Sequence, residues 1–476
     1  MTAIAYTTPN IPLILTVGSF LYLINVAEAV FARFINAGLL GSLCVGILFG
    51  SEVSNILPEA FQSAFITLGY IGLLLIVFEA GLSTNPSLLF DNILLSCTIA
   101  LSGMFLPIGL SMLLLYFGFG YPVLQSFAAG AALSSTSLGT TLTMLKPAYR
   151  QTRTGTVLMA AALLDDIGGL VIAAILSQLS SYRASSSLSS IPWNIIVRPI
   201  LVSLGFAFGV PVFGFISRYT VKRTLNREKF ARLSLPGAQI SIMIAVLSGF
   251  VSGAKYAGTS ELFGAYLAGG YLSHVFSPLS NPVSASPRDV VAPILAFNKH
   301  IMPLLQVLLS PLFFASIGSA LPIRSLGSVD GSSRVIWRGL VYSLLMSLAK
   351  VLVGLWMLVW PDRVSGYGWL GRRLPRRPSE EETNRVGENP LAENEAIQLP
   401  DFTRIRSAAF VGLAMVARGE IALIVAEISQ PLLGIHDPRA TSEPFAIVIW
   451  ATLLNTAGGA ISVGLLLKGQ KTVGAE

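Results

Sequence analysis

Charge is scarce in this chain. Asp, Glu, Lys and Arg make up 12% of its 476 residues, about half of the roughly 25% carried by soluble globular proteins. That scarcity excludes a water-facing fold. Mean hydropathy is +0.71, and apolar runs of about 20 residues recur along the sequence, which indicates a polytopic membrane protein. The ten-residue alternating segments of a spanning β-barrel are missing, so the runs are helices that satisfy their own backbone groups. Cysteine is nearly missing too. Cys44 and Cys97 both lie in apolar runs and read as small packing residues, with no disulfide or metal role. The three histidines, His274, His300 and His436, lie scattered near span ends without ligand spacing. No cofactor is expected. The first 30 residues lack a basic n-region, so the first apolar run is expected to be a retained helix and not a cleaved signal.

What is present is a succession of apolar segments. Thirteen spans are expected, at roughly 11–31, 34–50, 64–82, 92–118, 123–145, 154–180, 194–217, 236–255, 259–276, 300–323, 335–360, 404–430 and 441–467. This divides the chain into a short N-terminus (1–10), eleven spans (11–360), a polar loop (361–403), two spans (404–467) and a tail (468–476). The loop contains "GRRLPRRPSEEETNRVGENPLAENEAIQ", whose Pro, Glu, Arg and Asn content suits a linker.

The net charge of +7 raises the question of nucleic acid, and the positions of the cations answer it. Connections after odd-numbered spans, with the tail, hold 22 Lys and Arg, including six from Arg218 to Arg232 and eight from Arg363 to Arg406. Connections after even-numbered spans hold seven: Arg183, Arg198, Lys255, Arg324, Arg334, Arg338 and Arg439. Such a bias is a topology signal. It places the N-terminus outside and the C-terminus and the 361–403 loop in the cytoplasm, of either the plasma membrane or an organelle membrane. Nucleic acid is not an expected partner.

Ionisable residues inside spans are few: Glu28, Glu79, Asp165, Asp166, Lys350, Arg418, Glu420 and Glu427. Each costs about 2.5–3.5 kcal/mol at mid-bilayer on insertion scales, so each is a functional candidate by default. Asp165 and Asp166, in "TVLMAAALLDDIGGLVIAAIL", are adjacent near the middle of span six. Neighbours on a helix point about 100° apart, so the two carboxylates cannot share a direction but can border one cavity. Like charges and partial desolvation favour proton uptake by one of them. A carboxylate that holds either a proton or a hard cation, but not both, is the basis of exchange. Lys350 lies mid-span in "SLLMSLAKVLVGLWM", too deep to snorkel, and is expected to pair with a carboxylate such as Asp165.

Two spans look interrupted. Span five carries "ALSSTSLGTTLTML", where Ser134 to Thr141 is rich in hydroxyls, and span twelve carries "MVARGEIALIV", broken by Arg418-Gly419-Glu420. Discontinuous helices in corresponding halves are a sequence pointer to a transport site. Spans five and twelve are seven apart, so they enter the membrane from opposite sides, as in an inverted repeat. Thr136 and Ser137 join Asp165 and Asp166 as candidate cation- and proton-binding residues. Asp166 is the candidate ligand of a monovalent cation, and Lys350, Arg418, Glu420 and Glu79 are candidate charge-compensating groups.

These segments, with "AAALLDDIGGLVI", "IMPLLQVLLSPLFFASIGSAL" and "SELFGAYLAGG", resemble in content and order the monovalent cation/proton antiporter superfamily over residues 10–468. The resemblance implies thirteen helices, a homodimer, a dimerisation domain beside a mobile core and elevator-like alternating access. It implies Asp166 as the essential carboxylate, Asp165 as the mark of a paired-Asp, electrogenic branch, and Lys350 as that branch's core lysine. The expected function is exchange of Na⁺, K⁺ or Li⁺ for protons, without enzymatic activity. A cation channel and an intramembrane aspartyl protease are the alternatives. The protease needs carboxylates on two helices, whereas here both lie on one.

Overall fold

The computed structural model describes residues 10–35, 37–83, 92–136, 152–185, 193–224, 235–276, 293–321, 323–329, 333–360, 404–418, 420–433 and 442–468. They are almost entirely helical. The main helices are α1 (Ile11–Ile35), α2 (Gly38–Phe49), α3 (Glu59–Ser83), α4 (Ile93–Ser111), α5 (Val123–Ala132), α6 (Arg153–Ser185) and α7 (Trp193–Thr224). They continue with α8 (Pro236–Ala257), α9 (Glu261–Phe276), α10 (Met302–Ala320), α11 (Arg334–Val353), α12 (Arg404–Ala414), α13 (Glu420–Leu433) and α14 (Glu443–Lys468). Helix is found within each of the thirteen expected spans. Among the described residues, nine helices are long and apolar enough to cross a membrane, and α2, α5 and most of α13 are shorter apolar pieces. Span twelve is two helices, α12 and α13, separated at 415–419. The far half of span five, from Ser137, and the 361–403 loop lie outside the described residues.

The helices pack in two groups. α1, α2 and α3 associate with α7, α8, α9 and α10, whereas α4, α5 and α6 associate with α11 to α14. The groups meet mainly along α6, which runs against α7 and α9.

Small residues hold the first group together. Gly81 of α3 faces the Tyr266 carbonyl of α9, and Gly269 of α9 faces the Phe78 carbonyl of α3. A Cβ at either position would collide with the opposite backbone, so the reciprocal glycines let the two axes approach closely. α8 ends at Gly258, whose φ of +89° is the left-handed conformation that stops a helix. Its N–H returns to the Ala254 carbonyl at 3.1 Å, and the chain turns into α9.

The second group is tied by polar contacts as well as by packing. Asn455 Oδ1 of α14 accepts hydrogen bonds from Ser343 at 2.8 Å and Ser347 at 2.7 Å, both on α11. Buried Ser111 of α4 lies 2.8 Å from the Tyr342 hydroxyl of α11 and donates to the Ser126 carbonyl of α5 at 2.8 Å. At one end, Arg338 pairs with Glu443 at 2.8 Å, donates to the Tyr121 hydroxyl, and stacks 4.8 Å from the Phe119 ring centroid. These bonds make α4, α5, α11 and α14 one connected frame.

Candidate functional site

Inside that frame, the chain leaving α5 meets the break between α12 and α13. α5 stops at Ala132, and Leu133 to Thr136 leave the helix. α12 stops at Ala414, and the chain resumes helix at Glu420. Broken helices release backbone donors and acceptors, which in hydrocarbon must find partners. Here the breaks satisfy each other: Thr136 Oγ1 donates to the Met415 carbonyl at 3.2 Å, and Arg418 Nη1 donates to the Ser135 carbonyl at 2.9 Å. The Arg418 carbonyl in turn accepts from Thr456 Oγ1 at 3.0 Å.

Asp165 and Asp166 reach this meeting point from α6. The freed backbone N–H of Thr136 donates to Asp165 Oδ2 at 2.7 Å, and Lys350 Nζ donates to the same oxygen at 3.1 Å. Lys350 also donates to Thr136 Oγ1 at 2.8 Å. Asp165, Lys350 and Arg418 are each 0% exposed. Such an ion pair is held by the difficulty of breaking it more than by net attraction, because either partner alone would be a buried unpaired charge. Gly103 of α4 leaves room for the ammonium, since a Cβ there would sit 3.3 Å from Lys350 Nζ.

Asp166 is held differently. It is 8% exposed, and Ser135 Oγ donates to its Oδ1 at 3.4 Å, a long and weak bond. Gly169 explains part of the "DDIGG" sequence. It follows Asp165 by four residues, one turn along the same face. A Cβ there would lie 2.9 Å from both Ser135 Cβ and Oγ, so glycine lets the span-five break close onto α6.

The structure thus brings together Asp165, Asp166, Thr136, Lys350 and Arg418 of the residues singled out from the sequence. Glu79 lies half-buried on α3 in the other group. Ser137 and the Glu420 side chain lie outside the described residues, although Glu420 begins α13. Counted as formal charges, Asp165, Asp166, Lys350 and Arg418 sum to zero. Three participants were not singled out: the Met415 carbonyl, Ser135 and the Thr136 backbone amide. The helix end at 133–136 and the interruption at 415–418 are their signals, because a helix end frees main-chain groups whatever the side chains are. Among the described residues no cluster of three or more His, Cys, Asp or Glu could hold a metal ion. A site for a monovalent cation here would draw instead on one carboxylate with backbone and hydroxyl oxygens.

The chain resembles known proteins over nearly its whole length. The family model described as sodium/hydrogen exchanger, transmembrane, matches residues 17–469. The high-affinity Na⁺/H⁺ antiporter NhaS3 of Synechocystis is 24% identical over 422 residues, covering 87% of this chain and 76% of the relative. The Na⁺/H⁺-K⁺ antiporter GerN of Bacillus cereus is 22% identical, covering 88% and 86%. Among solved structures, the sodium proton antiporter MjNhaP1 from Methanocaldococcus jannaschii superposes with a TM-score of 0.59 at 16% identity, covering 96% of this chain and 98% of that one. This chain therefore has the sodium/proton antiporter fold, is a multi-pass membrane protein, and belongs to the sodium/hydrogen exchanger family of the monovalent cation/proton antiporter superfamily.

Proposed function

We propose that the protein exchanges a monovalent cation, Na⁺ in the first instance, for protons, and that the two compete for Asp166. The observation that carries this reading is the unequal treatment of the adjacent carboxylates. Asp165 is fully buried and tied down by Lys350 and the Thr136 amide at 3.1 and 2.7 Å, whereas Asp166 is 8% exposed and its bond from Ser135 is long, at 3.4 Å. A carboxylate already neutralised by a lysine has little left for a substrate. Its neighbour, the more exposed of the two, is the carboxylate that the exchanged ions neutralise in turn. With Asp165, Lys350 and Arg418 fixed, either a proton or a monovalent cation on Asp166 gives the site the same charge. The two loaded forms are therefore interchangeable in charge, as exchange of one ion for the other at a single carboxylate requires.

The two helix groups support an elevator-like motion in which α4–α6 and α11–α14 carry the site past α1–α3 and α7–α10. α7 and α8 have only 11% and 17% of their apolar windows buried. Their exposed faces suit lipid and a second copy in a homodimer. The orientation with the N-terminus outside follows from the distribution of basic residues.

A channel fits less well, because a conducting path has no use for a carboxylate enclosed where the end of α5 meets the break between α12 and α13. The test is purified protein in sealed proteoliposomes, with internal pH followed while Na⁺, K⁺ and Li⁺ gradients are imposed in turn. Cation-driven proton movement in the opposite direction is expected. Cation flux without proton movement would overturn the reading in favour of a channel.

A further inference from the structure

Midway along α14, three polar side chains lie buried in an apolar helix. Thr452, Asn455 and Thr456 are 2%, 1% and 1% exposed. Thr452 serves its own helix, since its hydroxyl donates to the Val448 carbonyl at 2.9 Å. The other two reach outward, and each meets the segment that holds one of the site's two cations.

Asn455 holds α11, the helix of Lys350. Its Oδ1 accepts from Ser343 at 2.8 Å and from Ser347 at 2.7 Å. These serines precede Lys350 by seven and three residues, two turns and one turn along the same side of the helix. The amide's other end shows why asparagine is informative. Asn455 Nδ2 is buried and has no hydrogen-bond partner among the described residues. An unpaired buried donor is costly, and an apolar side chain of similar size avoids that cost. Packing alone therefore does not account for asparagine here, whereas a paired acceptor for two serines does.

Thr456 holds the break, the segment of Arg418. Its hydroxyl lies 3.0 Å from the Arg418 carbonyl and 2.6 Å from the Thr452 carbonyl of its own helix. A hydroxyl has one hydrogen to give, so the tie to the break is one that Thr456 can release without losing a partner. Gly459, one turn beyond Asn455, brings α14 against the same segment: a Cβ there would fall 2.6 Å from the Ala417 nitrogen.

We propose that Asn455 and Thr456 are positioning residues for the exchange reaction, a clamp on α14 that sets where Lys350 and Arg418 stand relative to Asp165. This rests on the exchange reading above. The charged groups that meet the paired carboxylates' surroundings are Lys350 of α11 and Arg418 of the break. Of the helices packed on α6, α4 and α5 carry no acidic, basic or histidine residue, those of α7, α9 and α12 lie toward helix ends, and α13 adds Glu420 and Glu427. The balance at the carboxylates therefore depends on how closely Lys350 covers Asp165. With the clamp released, α11 is free to shift, and an uncovered negative charge lies beside Asp166. Protons then compete with the cation more strongly.

The experiment follows the apparent KM for Na⁺ as a function of pH in proteoliposomes, beside the unfolding midpoint of each purified variant. For Asn455→Leu, the pH below which KM rises should move up by about half to one unit, with the maximal rate at saturating Na⁺ retained. Ser343→Ala with Ser347→Ala, which removes the donors and leaves Asn455 in place, should move it equally. Combining all three substitutions should add nothing further. Thr456→Val should shift the curve in the same direction, and Thr456→Ser, which keeps the hydroxyl, should not. Thr452→Val should leave the curve in place, because that hydroxyl bonds only within α14. The serine pair keeps the test decisive if Asn455→Leu folds poorly. A curve that stays put or moves down in the Asn455 and serine variants would overturn the clamp, whatever their unfolding midpoints. So would an equal shift in Thr452→Val or in Thr456→Ser, which would trace the effect to packing of α14. Absence of cation-driven proton movement in the unmodified protein would instead overturn the exchange reading beneath it.

Discussion

The two helix groups solve the same problem, close packing in lipid, by different means. In the α1–α3 and α7–α10 group, glycines meet facing backbone, as Gly81 and Gly269 do across α3 and α9. In the α4–α6 and α11–α14 group, the contacts at the centre are an ion pair, released backbone groups and hydroxyls. Packing through glycine asks only for small residues and does not respond to protonation, because nothing in it titrates. Packing around Asp165, Asp166, Lys350 and Arg418 is sensitive to every proton. The first group is suited to be a scaffold and the second to carry the exchange, and substitutions in the two should differ in kind.

The largest effect should come from Asp166→Asn, which keeps size and polarity but can neither take up a proton nor bear a negative charge. Exchange in proteoliposomes should fall to background while the thermal unfolding midpoint of the purified protein barely moves. Retained cation-dependent exchange would remove Asp166 from the centre of the account.

Breaking the buried pair should harm stability first. Lys350→Ala leaves Asp165 buried and unpaired, a loss of about 3–5 kcal/mol, read as a large drop in the unfolding midpoint. The double variant Asp165→Asn with Lys350→Met removes both charges and should recover most of that loss. If the double variant is as unstable as the sum of the singles, the pair is not coupled as described. Asp165→Asn alone leaves Asp166 ionisable, so residual exchange with weaker response to membrane potential is expected from it.

In the scaffold group, Gly269→Leu should separate α3 from α9 and destabilise by about 1–3 kcal/mol through overpacking. Its exchange, per folded molecule, should keep the pH profile of the unmodified protein. A shifted profile would mean that the scaffold takes part in proton binding, which would undo the contrast.

The smallest effect is expected at the rim of the second group. Arg338 and Glu443 are 16% and 25% exposed, so Glu443→Gln should cost about 1 kcal/mol or less. Transport should be unaffected, and a loss of activity without loss of stability would assign the rim a direct role.

Much of this arrangement is legible in the sequence, for physical reasons. Apolar runs must be helices in lipid, so the segments appear as expected. Two carboxylates at mid-span must be compensated, so Asp165, Asp166 and Lys350 announce themselves by their cost. The interruption near Arg418 is visible because polar residues and glycine break an apolar run. What the sequence hides is the use of the main chain. Thr136 stands out for its hydroxyl, yet the group that binds Asp165 is its backbone N–H, while the hydroxyl bridges Lys350 and the Met415 carbonyl. Side-chain type carries no information about an amide freed by a helix end. A survey of ionisable residues likewise passes over Asn455 and Tyr342, whose hydrogen bonds join the frame without any charge. Which of two adjacent carboxylates is sequestered depends on where the partner spans meet, and residue spacing does not fix that.

Competition at Asp166 is the central claim, and the pH dependence of cation affinity tests it most directly. A cation that needs the deprotonated carboxylate should show an apparent KM that rises about tenfold for each unit of pH below the site's own pKa. At saturating Na⁺ the exchange rate should reach the same maximum throughout. An apparent KM that stays constant with pH, with only the maximal rate changing, would contradict a shared site for the proton and the cation.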